Sequence, residues 1–354
     1  MNSHIIFLSV CALAGVAANA AAATTLRDRF DEWLVEFRVD LEGIRETYGK
    51  DDESCFGTWV RNHKFIIENN LSENSTVTLG HNKFSFLETN EFSKFMGFKQ
   101  VSDIARKGRR VQEDPIPESK LPASWDWRTE GAVTEVKDQG QCGSCWSFSA
   151  TGALEGAYQI KTGELKSFSE QQLVSCDNRK NKDGHYTDMG CNGGMMDSAD
   201  NFISDNDGLC TEEDYPYVSG DTKENEDCIK TCTEDIKSDI ESYVDVTPNS
   251  DEALMNAIYN AGPVSIAIQA DQKKFQLYSS GVLQGSECGD SLDHGVLVVG
   301  WGTEDNTPYW IVKNSWATTW GDEGYIKLER GTDANGGTGT CGILSIPSYP
   351  ILFE

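Results

Sequence analysis

Gln141-Cys142-Gly143-Ser144-Cys145-Trp146 is the stretch on which the reading of this chain turns. It follows a loop ending in Gly140 and opens a helix-like run over 145–161. Cys145 therefore falls in a first helical turn, where backbone N–H groups without intrahelical partners stabilise a thiolate. That placement makes a nucleophile. A free thiol titrates near about 8.5, so at acidic or neutral pH it needs a cationic partner, most simply a histidine that holds the pair as thiolate and imidazolium. Five histidines are present. His4 lies in an apolar leader, His63 and His81 precede a linker, and His185 sits in the polar run Lys182-Asp183-Gly184-His185. His294 remains, leading the strand-like run Gly295-Val296-Leu297-Val298-Val299. A base needs an orienting group on its other ring nitrogen, and Asn314 in Lys313-Asn314-Ser315-Trp316 can accept that hydrogen bond, with Trp316 shielding it from water.

Outward from this centre, residues 1–20 read as a cleaved signal peptide: a short polar start, about a dozen apolar residues, then small ones including Ala18-Asn19-Ala20. No later run has the roughly 18 apolar residues that a membrane helix needs, so the expected product has no membrane partner once the signal is removed. Leu26, Phe30, Trp33, Leu34, Phe37, Leu41 and Ile44 mark one apolar helix face over 26–46, and a second helix is expected over 54–69. The stretch 99–120, with a basic cluster at Arg106–Arg110 and two prolines, lacks periodicity and reads as an exposed linker open to proteolysis. Beyond about residue 235 come alternating runs, Val264–Ile268, Gly295–Val299, Tyr309–Val312 and Tyr325–Leu328, separated by Gly and Asn turns. A helical half is thus followed by a β-rich half, an α+β chain.

The formal charge is −27, of which −24 lies from Leu121 onward, with 39 acidic against 15 basic residues. Such a surface excludes a nucleic-acid partner. Nine cysteines lie in the same region, at 142, 145, 176, 191, 210, 228, 232, 288 and 341. An odd number in an oxidising compartment leaves one thiol over, which by itself flags a candidate and does not choose it. Cys142-Gly143-Ser144-Cys145 also has the spacing of a redox pair, and a thiol–disulfide oxidoreductase is the competing reading; titration of free thiols separates the two.

Cys142 to Trp146 matches the C-G-[SA]-C-[WY] signature of the papain and cathepsin enzymes, and the chain resembles that family over nearly everything after the leader. Asp126-Trp127-Arg128, Cys191-Asn192-Gly193-Gly194, Tyr215-Pro216-Tyr217 and Trp320-Gly321 carry the resemblance further. His294 lies 149 residues after Cys145, within the usual spacing, and Asn314 lies 169 after, which enlarged loops at 176–191 and 221–227 accommodate.

The resemblance implies a two-domain papain-like fold, with a helical left domain, a β-barrel-like right domain and a cleft between them. It implies an inhibitory propeptide over 21–120 and a mature peptidase over 121–354. It implies a cathepsin L-like endopeptidase that hydrolyses peptide bonds through a thioester and needs no metal or cofactor. Gln139 would supply the oxyanion-hole side chain, Gly143 and Gly194 backbone contacts to substrate, and Trp320 the leaving-group side. Met195, Met196, Ala267, Leu292, Gly295 and Ile346 would form an apolar pocket for the residue two before the scissile bond. The implied bridges are Cys142–Cys191, Cys176–Cys228, Cys210–Cys232 and Cys288–Cys341, the middle two exchangeable. Implied partners are protein and peptide substrates, the chain's own propeptide and cystatin-type inhibitors, acting on a monomer in a lysosome, a vacuole or the extracellular space.

The propeptide motifs depart from the family pattern. Trp59, Asn62, Ile66 and Asn70 match four anchors of the ERFNIN helix, whereas Asp51 and Cys55 stand where Glu and Arg are usual. Gly80–Phe86 matches the GNFD motif except for Phe86 in place of Asp, and Ala317 stands where a glycine usually follows Asn-Ser-Trp. The expectation is that 99–120 lies along the cleft over Cys145 until cut near Lys120–Leu121, that acid triggers the cut, and that Glu88, Glu91 and other carboxylates sense it in place of Phe86. Asn70-Leu71-Ser72 and Asn74-Ser75-Thr76 are glycosylation sequons in the same segment.

Overall fold

The computed structural model describes residues 24–99, 115–178, 180, 187–206, 208–229, 232, 240–331 and 334–353. The leader, the basic cluster at Arg106–Arg110 and His185 lie outside the described residues. The apolar stripe of 26–46 is carried by two helices, Leu26–Glu36 and Leu41–Tyr48. Arg38 turns into the left-handed region at φ 50°, and the Asp40 carboxylate accepts from the N–H groups of Glu42 and Gly43, so one helix ends and another is capped within four residues. The next helix, Asp52–Asn70, is capped by Asp51, which accepts from the Ser54 N–H at 2.9 Å. Asp51 thus has a helix-starting role of its own where the family pattern has Glu.

Among the described residues nine strands form one sheet: β1 Val77–Leu79, β2 Trp125–Asp126, β3 Ile240–Asp245, β4 Val264–Ile268, β5 Tyr278–Leu283, β6 His294–Glu304, β7 Thr307–Lys313, β8 Tyr325–Glu329 and β9 Ser348–Leu352. Their order is β1-β5-β8-β7-β6-β4-β9-β3, with β2 added on β6. All four runs expected as strands lie within β4, β6, β7 and β8. β4 is buried along its whole length, which is why its Val-Ser-Ile-Ala-Ile reads as a nearly continuous apolar run. The β4–β6 register pairs Ile268 with His294 and Ala267 with Gly295, which fixes His294 at the start of β6. β1 comes from the N-terminal segment and adds antiparallel to β5, so that segment is stitched into the sheet of the C-terminal part.

The helix Cys145–Thr162 packs against β6, β9 and the helix Met196–Asp205. Its first twelve residues are all buried. One apolar cluster runs from Phe30, Trp33 and Trp59 through Phe84 and Phe92 to Trp316 and Trp320. Phe84 alone meets Phe92, Phe95 and Trp316 edge-on with centroids 5.1 to 5.3 Å apart, each pair contributing about 0.5–1.5 kcal/mol beyond area burial. The bridges are Cys142–Cys191, Cys176–Cys228, Cys210–Cys232 and Cys288–Cys341, and among the described residues Cys55 and Cys145 are free. Among the described residues no helix is long and apolar enough to cross a membrane.

Candidate active site

Cys145 is the first residue of its helix and is fully buried. Its Sγ accepts from the Gly295 N–H at 3.3 Å, which brings the start of β6, and so His294, beside the helix N-terminus. His294 Nε2 is 2.8 Å from Asn314 Oδ1, which also accepts from the Ser315 N–H at 2.8 Å. The second contact fixes the amide so that Oδ1 faces the ring and Nε2 carries the proton. Nδ1 has no hydrogen-bond partner. Trp316 stacks on the imidazole at 4.6 Å between centroids. Cys145, His294 and Asn314 are thus gathered from separate stretches of the chain, and Cys142 is bridged to Cys191, so the competing redox pair does not form.

Gln139 is buried, and its Oε1 accepts from Ser315 Oγ at 2.7 Å and from Trp316 Nε1 at 3.1 Å. Both contacts orient the amide so that Nε2 points outward, where it donates to the carbonyls of Cys142 and Phe95, each at 3.0 Å. A backbone carbonyl of the N-terminal segment therefore occupies the donor that the sequence marks for an oxyanion.

Residues 95–99 of that segment lie in the cleft. Gly97 O accepts from the Gly194 N–H at 2.9 Å, the Lys99 N–H donates to Gly194 O at 3.0 Å, and the Phe98 N–H donates to Asp293 O at 2.9 Å. Residues 95–99 are held by both walls at once, because the main chain here pairs like an added strand. A Cβ at Gly97 would lie 1.8 Å from Gly143 O, so only glycine passes this point. Of the expected blocking stretch, 100–114 lies outside the described residues. Residues 115–120 lie against the helix Asp251–Ala261, with Ile116 and Asn256 exchanging two hydrogen bonds. Lys120 is exposed there.

Phe98 is 6% exposed and belongs to one apolar cluster with Trp146, Met195, Met196, Ala267 and Ile346, with Leu292 packed against it. Of the residues named from sequence for the apolar pocket, Met195, Met196, Ala267 and Ile346 share this cluster and Leu292 packs against it. Gly295 borders Met196 and the Cys145 main chain. Trp320 lies against Trp316 at 4.9 Å and is fully covered.

Burial also sets the electrostatics. It pushes the Cys145 thiol up to about 12, against N–H donors at Gly295, Gly97 and Trp146, and it pulls His294 down to about 4 despite the Asn314 contact. Under the 95–99 segment the two groups rest as thiol and neutral imidazole, because a dry site disfavours both charged forms. Residues without a sequence signal also shape the site. Phe95 and Phe98 stand at the edge of a stretch that reads as linker, and Tyr217 read only as part of a family tripeptide.

A family model described as Papain family cysteine protease matches residues 121–351. The chain is 43% identical over 330 residues to "Probable cysteine protease RD21C" of Arabidopsis thaliana, covering 92% of this chain and 68% of that protein. It is 40% identical over 345 residues to "Cysteine endopeptidase RepA" of Oryza sativa subsp. japonica, covering 94% and 88%. Among solved structures it is similar to the recombinant stem bromelain precursor, with TM-score 0.79, 34% identity and coverage of 93% and 99%. It is also similar to digestive procathepsin L 3 of Tenebrio molitor larval midgut, with TM-score 0.74, 34% identity and coverage of 93% and 100%. The chain belongs to the papain family of cysteine proteases, and it has the papain-like α+β fold of their proforms.

Proposed function

We propose that this cysteine endopeptidase is made as a self-inhibited precursor in which residues 21–120 cover a cleft built by 121–354. Once uncovered, Cys145 and His294 exchange a proton to give thiolate and imidazolium. The thiolate attacks the peptide carbonyl, His294 protonates the leaving amine, and water then hydrolyses the thioester with His294 as base. Gln139 Nε2 and the Cys145 N–H bind the oxyanion, and Asn314 holds the imidazole. The observation that carries this reading is the joint placement of Sγ, the His294–Asn314 pair and the Gln139 amide around one segment of extended chain.

The Phe98 ring among Met195, Met196, Ala267 and Ile346 supports a preference for apolar residues two before the scissile bond. A charge there would be buried without a partner. The apolar leader at 1–20 supports a secretory route toward a lysosome, a vacuole or the outside.

In the activated enzyme, Cys145→Ala abolishes turnover and His294→Ala does nearly the same, with losses that do not add because the two groups act as one unit. Gln139→Ala costs on the order of 10²–10³ in kcat with little change in KM. Turnover of a peptide substrate by purified Cys145→Ala would overturn the mechanism.

A further inference from the structure

The serine before the nucleophile poses a question of local structure. Ser144 is the N-cap of the Cys145–Thr162 helix, and a serine there ordinarily accepts from an N–H of the first turn. Here it makes no such bond. Its Oγ lies 2.7 Å from the Tyr217 hydroxyl, which in turn donates to the Gln139 carbonyl at 2.8 Å. The Tyr217 proton is spent on that carbonyl, so Ser144 is the donor in the first bond and the three groups form a one-way chain: Ser144 to Tyr217 to Gln139.

Tyr217 itself is held rigidly. Its N–H donates to Glu212 Oε1 at 2.8 Å, and its ring meets Phe148 edge-on at 4.9 Å. Behind it the chain is close-packed: a Cβ at Gly220 would lie 3.0 Å from both the Tyr217 ring and Gln139 O, and the Gln141 N–H donates to Gly220 O at 2.9 Å. Burial drives the phenol further above its ordinary pKa, so it stays a donor at every working pH.

We propose that Tyr217 is a positioning residue for transition-state binding, acting on both oxyanion donors at once. One bond fixes the main chain of Gln139, whose side chain is already aimed by Ser315 and Trp316. The other draws Ser144 Oγ away from the helix end, so that it does not compete for the Cys145 and Trp146 N–H groups that face the thiolate and the oxyanion. A donor displaced by a fraction of an ångström loses effect on the transition state while substrate still binds. Tyr217 touches no reacting atom, and the inference rests on the assignment of Gln139 to the oxyanion hole.

The test uses activated enzyme, counted by active-site titration. Tyr217→Phe removes one oxygen and is expected to lower kcat about tenfold with KM within twofold of the parent, since the lost interaction matters only in the transition state. In a Gln139→Ala background the same change is expected to cost under about threefold, because one of the two donors it positions is gone. Ser144→Ala loosens the same hydroxyl from the other side. It is expected to lower kcat several-fold at constant KM, and it carries the test if Tyr217→Phe fails to fold. Unchanged kcat in both variants, or a loss in Tyr217→Phe that multiplies fully with Gln139→Ala, overturns the inference. If Gln139→Ala itself leaves kcat intact, it is the oxyanion assignment that fails.

Discussion

Ala317 shows how one side chain can sit against its backbone. It follows Asn314-Ser315-Trp316 and adopts φ 61°, the left-handed region that costs an L-residue about 1–2 kcal/mol. Its conformation is imposed from both sides, since its N–H donates to Lys137 O and its carbonyl accepts from the Trp320 N–H. The family's usual glycine fits that conformation, and the strain is stored beside the Asn314–Trp316 platform. Ala317→Gly relieves it but makes the unfolded chain more flexible, which returns about 0.4–1 kcal/mol. The expected net gain is about 0.5–1 kcal/mol. Urea unfolding in a Cys145→Ala background, which prevents self-digestion, measures it; a lower midpoint would rule the strain out.

At the scale of elements, the helix Asp52–Asn70 is tied to the turn Gly80–Leu87, with Asn62 donating to the Ser85 and Leu87 carbonyls. Phe86 occupies an aromatic cluster with Trp33 and Tyr48, and its carbonyl accepts from Lys50 Nζ at 3.0 Å. Lys50 also pairs with Glu91 at 2.6 Å, and Arg61 pairs with Glu88. Nearby, His63 Nδ1 is 2.9 Å from His81 Nε2, and both rings stack on Trp59. One proton lies between them, so one ring can be charged with the bond intact, but both rings cannot. Burial, and then His63, lowers His81 to about 3; burial and Arg29 lower His63. Glu88 is also lowered: burial opposes this, but its bonds to Arg61 and Thr58 and the charge of Lys50 outweigh it.

The signs follow from linkage. A histidine whose folded pKa is depressed binds fewer protons when folded, so its contribution is present above about 6.5 and lost as pH falls toward the folded value. The depressed Glu88 loses its contribution only below the ordinary carboxylate range. The histidines therefore yield first on acidification, and His294, down to about 4 under the 95–99 segment, acts in the same direction. Carboxylates were the sensors expected from sequence; geometry adds this stacked pair. His81→Phe keeps the stack on Trp59 and removes the titrating group, and it should move the midpoint of precursor conversion about 0.5–1 pH unit lower. Following the N-terminus from pH 7 to pH 4 reads this, and an unmoved midpoint would exclude the pair as a sensor.

For the whole molecule, inhibition is a matter of shared surfaces. The N-terminal segment contributes β1 to the sheet and Asn82, which donates to Gln276 O at 2.8 Å, while Gln276 returns two bonds to Phe84 and Leu87 carbonyls. Lys83 reaches Asp138, one residue before Gln139, at 2.6 Å. Phe98 is buried in the apolar cluster with Trp146, Met195 and Met196, which is worth about 1.5–3 kcal/mol for a fully buried ring. Phe98→Ala should therefore let the precursor convert at neutral pH at least about tenfold faster, with β1 keeping the rest docked. Conversion rates equal to the parent would show that the ring adds nothing to the block.

The local chemistry of the chain was legible from sequence because it depends on residue type and short spacing. A thiol at a helix start, a histidine at a strand start and alternating apolar runs announce Cys145, His294, β4 and β6 without any knowledge of contacts. The helix break at Phe37–Asp40 was harder to read, because the apolar stripe continues across it while the Asp40 cap restarts the helix. Tertiary structure alone decided three things. It placed 95–99 in the cleft, because strand-like pairing with Gly194 and Asp293 leaves no compositional trace. It set thiol and imidazole neutral under that cover, since a pKa depends on burial that no linear pattern encodes. It also joined His63 to His81 and Tyr217 to Gln139, contacts 18 and 78 residues apart in sequence that exist only once the chain has closed on itself.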